Sequence, residues 1–291
     1  MSSKIALIGA GVMGNAIATR LLEVGNRLSI YDRNQSKIDA LVEKGATAAT
    51  SAASAAATAD YIILSLNTAA IVSTVVFGQS GVAEQARPGA QIIDMSSIDP
   101  ISTKALAAQA QDKGLRWLDC PLSGGAPKAL AGELTVMAGG DEADFNAASI
   151  VMNQLCANFT LMGSVGAGQT TKLINQVLCG LHFVAVAEAT QLAIDAGVDA
   201  SKIPQALKGG RADSAILQEF MAKMATKDYS PTGRIDNMVK DLNGVQDLAR
   251  STNTAMPLTA VCAEIHRHLM HSGFGGDDNA ALMKFYAKNE E

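Results

Sequence analysis

The stretch Lys4–Gly25, KIALIGAGVMGNAIATRLLEVG, decides how the rest of the chain is read. Lys4 to Ile8 is a short apolar run with the length of a buried strand, and Gly9-Ala10-Gly11-Val12-Met13-Gly14 follows at once. From Asn15 to Val24 the apolar residues recur at helical spacing, and Gly25 ends the pattern. Strand, glycine turn and helix stand in the order that a dinucleotide fingerprint requires. The first glycine makes the tight turn, the second lets the backbone approach a pyrophosphate, and the third lets the helix pack close to the strand. The helix N-terminus then offers its N–H groups to the phosphates. Gly9, Ala10, Gly11, Val12, Met13 and Gly14 are therefore the expected phosphate-side contacts. Arg27 to Tyr31 reads as a second strand, closed by Asp32 at about the spacing of a ribose-binding acid. Asp32 favours NAD, because its charge accepts hydrogen bonds from a 2′-hydroxyl and repels a 2′-phosphate. Arg33 and Lys37 offer that phosphate a counter-charge, so NAD is the expected cofactor and NADP stays open.

The alternation continues beyond this unit. Helix is expected from Gln35, over the Ala-rich Ser51–Ala59, over Pro100–Lys113 and from Asp141. Strands are expected at Tyr61–Leu66, Ala90–Met95, Leu115–Asp119, Glu133–Gly139 and Phe159–Met162. Strand and helix in turn predict an α/β fold with a doubly wound, Rossmann-type parallel sheet. Such a sheet binds its ligand beyond the carboxyl ends of its strands. Those ends carry Leu66-Asn67-Thr68, Ser96-Ser97 and Pro121-Leu122-Ser123-Gly124-Gly125. Ser123, Gly124 and Gly125 combine one hydroxyl with unhindered backbone N–H groups, which suits a carboxylate and equally suits an ordinary turn.

After Gly168 the strands cease. The boundary is set at 163/164, with a dinucleotide-binding domain over 1–163 and an all-helical substrate and dimerisation domain over 164–291, joined by a long helix. That helix, within Gly166–Gly197, has no proline and is apolar on nearly every side, which predicts burial nearly all round. One small helical domain cannot cover it, so a homodimer or homotetramer is expected. Lys172 lies in its first turns, where the helix dipole makes a positive charge least favourable. Asn175 and Gln176 follow at i+3 and i+4 on the same face.

Composition narrows the class. The 291 residues are 48% hydrophobic and 18% charged with a net charge of −5, which offers no basic patch to nucleic acid or an anionic membrane. His182, Glu188, Gln191 and Asp195 interrupt the long apolar helix, which argues against a bilayer span, and no secretion signal is read at the start. Cys120, Cys156, Cys179 and Cys262 show neither CxxC nor metal-ligand spacing, so reduced thiols, no metal and a cytoplasmic location are expected. His182 is expected as a hydrogen-bonded core residue, with His266, His268 and His271 facing solvent. Asp277 and Asp278 follow Gly273-Phe274-Gly275-Gly276 and read either as a closing loop or as a polar turn.

Four stretches together resemble the β-hydroxyacid dehydrogenases, a family that includes 3-hydroxyisobutyrate dehydrogenases and tartronate semialdehyde reductases. They are IGAGVMGNAIATRLLEVG, DCPLSGGAPKALAGELTVMAGG, GAGQTTKLINQ and MVKDL, and the resemblance covers essentially the whole chain. It implies reversible hydride transfer between a nicotinamide and the β-carbon of a short 3-hydroxy acid, with Lys172 as general acid and base. Ser123, Gly124 and Gly125 would bind the substrate carboxylate. Leu66, Asn67 and Ser96 would line the nicotinamide side, and Lys240 would reach into the closed cleft. The family motif has two asparagines after the lysine, the second commonly touching substrate; here the pair is Asn175-Gln176. That departure resembles the branch acting on sugar acids such as threonate or erythronate, and related enzymes oxidise 3-hydroxy amino acids. The alternatives are a tartronate semialdehyde (2-hydroxy-3-oxopropionate) reductase, an imine reductase and a non-catalytic dinucleotide sensor. Lys172 speaks against the last two.

Overall fold

Strands and helices alternate through the first of two units, Met1–Lys172, while the described residues of the second, Leu173–Glu291, are mainly helical. The computed structural model describes residues 3–286. The strands are β1 Lys4–Ile8, β2 Arg27–Tyr31, β3 Thr47–Ala48, β4 Tyr61–Leu64, β5 Gln91–Asp94, β6 Arg116–Asp119, β7 Leu122–Ser123, β8 Leu134–Gly139 and β9 Cys156–Gly163. The helices of this unit are α1 Val12–Glu23, α2 Asp39–Glu43, α3 Ala52–Ala56, α4 Ala69–Phe77, α5 Val82–Gln85, α6 Pro100–Asp112, α7 Gly125–Ala131 and α8 Glu142–Met152. α9, Ala167–Asp195, begins in the first unit and runs on into the second.

The sheet order is β3-β2-β1-β4-β5-β6-β8-β7, with β9 paired to β8. From β3 to β6 every pair is parallel. Both faces are covered, as such a sheet requires. Ile5, Leu7, Ile63 and Ile93 face one core, while Ala6, Ile8, Ile62 and Ile92 face the other. The parallel, doubly wound expectation holds for the sheet as a whole, with β8 running antiparallel to β6 and β7. The connection between β7 and β8 holds only the seven-residue α7 and a turn, too short for a crossover to a parallel neighbour. β3 was not anticipated either; two residues carry no alternation to read.

In the second unit α9 is joined by α10 Ile203–Leu207, α11 Ala215–Ala225, α12 Ile235–Thr252, α13 Pro257–Leu269 and α14 Met283–Tyr286. Phe183 and Val186 of α9 pack with Phe220 and Met224 of α11, Leu242 of α12 and Cys262 of α13. Phe183 meets Phe220 edge to face at 4.7 Å. Gly180 permits the approach, since a Cβ there would lie 3.1 Å from the Cys262 sulfur. Burial all round does not hold for α9. This core covers one stripe, and Ile174, Leu178 and Leu192 on the other side are 54%, 55% and 71% exposed.

His268 and His271 are exposed as expected, but the expectations for the other two histidines reverse. His182 falls on the exposed side of α9, whereas His266 is wholly buried with Nδ1 2.8 Å from the Cys262 carbonyl oxygen. α13 turns its 262–266 edge inward, so His266 lies on the core stripe rather than the solvent face. Of the two readings for Asp277-Asp278, the structure gives Asp278 a bracing role. Its buried carboxylate accepts from the Thr232 and Gly233 amides, the Thr232 hydroxyl and the Ala280 amide.

Candidate active site

The three glycines of the fingerprint have different physical reasons. Gly9 has φ +98°, and a Cβ there would lie 2.3 Å from the Ser65 carbonyl oxygen. A Cβ on Gly14 would lie 1.9 Å from the Gly9 carbonyl oxygen, so α1 and its turn close only with hydrogen at that position. Gly11 is different: nothing lies within 4 Å of where its Cβ would be. It is the N-cap of α1, and no side chain caps that helix. Open space above Gly11 and uncapped helix amides are what an approaching pyrophosphate needs.

Asp32 stands at the end of β2 and accepts the backbone N–H groups of Ala10 and Asn34, each at 2.8 Å. It lines one cleft together with Gly9, Gly11, Arg33, Lys37, Leu66 and Asn67. Arg33 and Lys37 are exposed, and Val12 at the head of α1 is 83% exposed. Ala10 contributes its amide to Asp32 while its methyl is buried, and Met13 is half-buried. The chain's own residues in this cleft therefore fit a dinucleotide: a bare backbone for its phosphates and an acid for a ribose.

Below the cleft lies a buried polar network of which sequence reasoning named Ser96 but missed Asp94, Asp119 and Gln169. Ser96 is 3% exposed, and its hydroxyl accepts the Leu66 N–H at 3.0 Å. The Ser96 N–H donates to Asp94 Oδ1 at 3.0 Å, and its carbonyl oxygen accepts from Gln169 Nε2 at 2.7 Å. Gln169 Oε1 accepts the Ile98 N–H at 3.2 Å. Asp119 is the register partner of Asp94 across β5 and β6, and it accepts the N–H groups of Gly166 and Gln169 at 2.7 and 2.9 Å. Burial pushes the Asp94 carboxyl up to about 7. Burial also raises that of Asp119, against the pull of the helix amides. The available signal was an acid ending each of two apolar strands, QIID and RWLD.

Gly124 and Gly125 have φ of +124° and +70° and are exposed beside a half-buried Ser123. Lys172 is half-buried on α9, three residues beyond the anchored Gln169.

The second unit holds the remaining candidates in one chain of contacts. Lys240 Nζ lies 3.2 Å from Asp241 Oδ1, and Asp241 Oδ2 accepts from Gln176 Nε2 at 2.6 Å. Gln176 Oε1 accepts from Asn175 Nδ2 at 2.9 Å. Both ends of the Gln176 amide are thus engaged, and the extra methylene relative to asparagine reaches α12.

A Rossmann-type sheet with room for a pyrophosphate, followed by a helical unit, defines a two-domain nicotinamide-dependent oxidoreductase. Residues 4–163 match the model for the NAD-binding domain of 6-phosphogluconate dehydrogenase, and residues 166–286 match that for the NAD-binding domain of NADP-dependent 3-hydroxyisobutyrate dehydrogenase. The chain is 35% identical over 281 residues to a 2-hydroxy-3-oxopropionate reductase of Escherichia coli (strain K12), covering 97% of this chain and 96% of that one. The chain belongs to the β-hydroxyacid dehydrogenase family. Two solved structures agree. A 3-hydroxyisobutyrate dehydrogenase from Salmonella typhimurium superposes with TM-score 0.87 at 32% identity, over 97% of this chain and 99% of that one. A Mycobacterium tuberculosis 3-hydroxyisobutyrate dehydrogenase, solved with L-serine, gives 0.90 at 27%, over 99% and 100%. The protein is an NAD(P)-dependent oxidoreductase acting on the hydroxyl group of a small hydroxy acid.

Proposed function

We propose that Lys172 is the general acid and base of this dehydrogenase, and that the substrate is a short 3-hydroxy acid of the sugar-acid or 3-hydroxy amino acid type. The observation that carries the reading is that Lys172 lies half-buried early in α9, three residues beyond Gln169, whose N–H is held by Asp119 and whose side chain is held by Ser96. Bound NAD supplies the hydride acceptor at its nicotinamide. Lys172 removes the proton of the substrate hydroxyl in oxidation and returns it in reduction. The Ser123 hydroxyl and the Gly124 and Gly125 amides hold the carboxylate. Asn175 orients the substrate or the lysine, fixed by its bond to Gln176. Leu66 and Asn67 line the nicotinamide side, with Ser96 holding Leu66 in place.

Asp32 supports NAD over NADP, since a 2′-phosphate would meet its charge in the same cleft. The exposed stripe of Ile174, Leu178 and Leu192 supports a homodimer, or a homotetramer built from it, assembled through α9. A cytoplasmic enzyme is the companion of this reading. The name of the Escherichia coli relative and the L-serine in the Mycobacterium tuberculosis structure both support small, polar, carboxylate-bearing substrates.

Turnover of Lys172→Met on a panel of 3-hydroxy acids tests the proposal. Its kcat should fall by about 10²–10⁴-fold, with cofactor affinity kept. Lys172→Arg should not restore it, because a guanidinium does not give up its proton near neutral pH. Near-normal turnover of Lys172→Met would remove Lys172 from the chemistry.

A further inference from the structure

Asp119 takes no part in the chemistry described so far, yet its surroundings are built around its carboxylate. It is wholly buried, and its two oxygens bind different residues at the start of α9. Oδ1 accepts the Gly166 N–H at 2.7 Å and Oδ2 the Gln169 N–H at 2.9 Å. The space exists because two neighbours lack side chains. A Cβ on Gly139 would lie 2.5 Å from Oδ1, and one on Gly168 would lie 2.8 Å from Oδ2. Asp94 on β5 and Cys120 are the titratable groups beside it.

Where another α-helix of this chain has a side-chain cap, the cap is the residue just before it. Ser51 caps α3, Thr68 caps α4, Asp99 caps α6 and Ser214 caps α11. α9 draws on a carboxylate 47 residues earlier in the chain, at the end of β6. A local cap would stabilise the helix without desolvating a charge. Helix stability therefore does not account for Asp119. What a buried, two-pronged contact adds is a fixed rotation and a fixed height of the first turn against the sheet. Gln169 completes the attachment independently, since its side chain binds both Ser96 and Ile98 while Ser96 holds Leu66.

We propose that Asp119 is a positioning residue for the dehydrogenase reaction, fixing the first turn of α9 so that Lys172 stands in register with the strand-end loops at Leu66 and Ser96. The inference rests on the reading of Lys172 as the acid–base group. Asp119 acts on the reaction through Lys172 and touches neither substrate nor cofactor. A carboxamide at this position keeps the shape but turns an NH₂ toward a backbone N–H, which releases one prong.

The test is a double-mutant cycle on the full chain with Lys172→Met, Asp119→Asn and the pair together. Values of kcat and KM are read in the steady state, the chemical step is checked by single turnovers with enzyme in excess, and NADH affinity is read by fluorescence titration. Asp119→Asn should lower kcat about 10–100-fold, the effect of a displaced reacting group, while KM and NADH affinity stay within about threefold. The double variant should be no slower than Lys172→Met alone, because a displaced lysine and an absent one are the same loss. A purely structural role predicts that the two losses multiply. Multiplied losses, or normal kcat in Asp119→Asn beside a slow Lys172→Met, would overturn the proposal. Near-normal turnover in Lys172→Met would instead overturn the acid–base reading beneath it. If Asp119→Asn does not fold, Gln169→Leu enters the same cycle, since it frees the turn from Ser96 and Ile98 with Asp119 intact. Full kcat or multiplied losses there would sink the idea equally.

Discussion

Asp32 accepts the backbone N–H of Ala10 at 2.8 Å, so the acid that closes β2 also braces the glycine loop that leaves β1. Charge and loop order therefore change together when it is replaced. Asp32→Ala should weaken NAD binding and raise the NADP-to-NAD ratio of kcat/KM by about tenfold or more, equivalent to about 1.4 kcal/mol. Steady-state kinetics with both cofactors measures this. An unchanged ratio would mean that Arg33 and Lys37 set the preference.

The glycine loop separates fold from binding. Gly11→Val should leave the thermal melt within a few degrees of the parent and abolish NADH binding by calorimetry, because the added side chain enters open space where a pyrophosphate would lie. Gly14→Ala should destabilise the protein by about 1–3 kcal/mol, because its methyl meets the Gly9 carbonyl. Normal binding in a folded Gly11→Val would break the phosphate assignment.

Assembly through α9 has a direct readout. Leu178 and Leu192 are more than half exposed in the single chain, and the proposed pairing would cover them. Leu178→Glu with Leu192→Glu should convert a dimer or tetramer to a 30.1 kDa monomer in light scattering at micromolar concentration. A wild-type monomer under those conditions would end the dimer proposal.

Two buried groups pull stability in opposite directions with pH. His266 is held below its ordinary value by burial, so the fold prefers the neutral ring. Its contribution is complete above the unfolded value near 6.5 and is lost as pH falls through the folded value. Asp94 is raised to about 7, so its contribution is complete below about 4 and is lost as pH rises toward 7. Asp94→Asn should therefore gain about 1–4 kcal/mol on the parent at pH 8 compared with pH 4, read by urea unfolding at both. A difference that does not change with pH would contradict the buried-acid assignment.

Local pattern revealed what is local. β1, the glycine turn, α1 and β2 lie within consecutive residues, and β1 and β2 were bounded as found. The switch to helices late in the chain was equally visible in composition. The antiparallel β8 was not, because its direction depends on the length of the link through α7. Asp94, Asp119 and Gln169 were missed for a related reason. Each is unremarkable among its sequence neighbours, and the side-chain contacts of Asp119 and Gln169 span from 47 to 73 residues. His182 and His266 were exchanged because spacing tells which residues share a helix face, but not which face the other helices cover. Gln176 was read as a longer asparagine; its bond to Asp241 depends on α12 lying within reach.

The unequal roles of the three fingerprint glycines also bear on how this lineage can change. Gly9 and Gly14 are enclosed by the chain's own carbonyl groups, while Gly11 has empty space beside it. Selection for folding alone polices the first two and is blind to the third. A descendant relieved of its catalytic duty would keep glycine at 9 and 14 and let 11 drift. Position 11 is therefore where a retired copy of this enzyme would first betray itself, well before its architecture decayed.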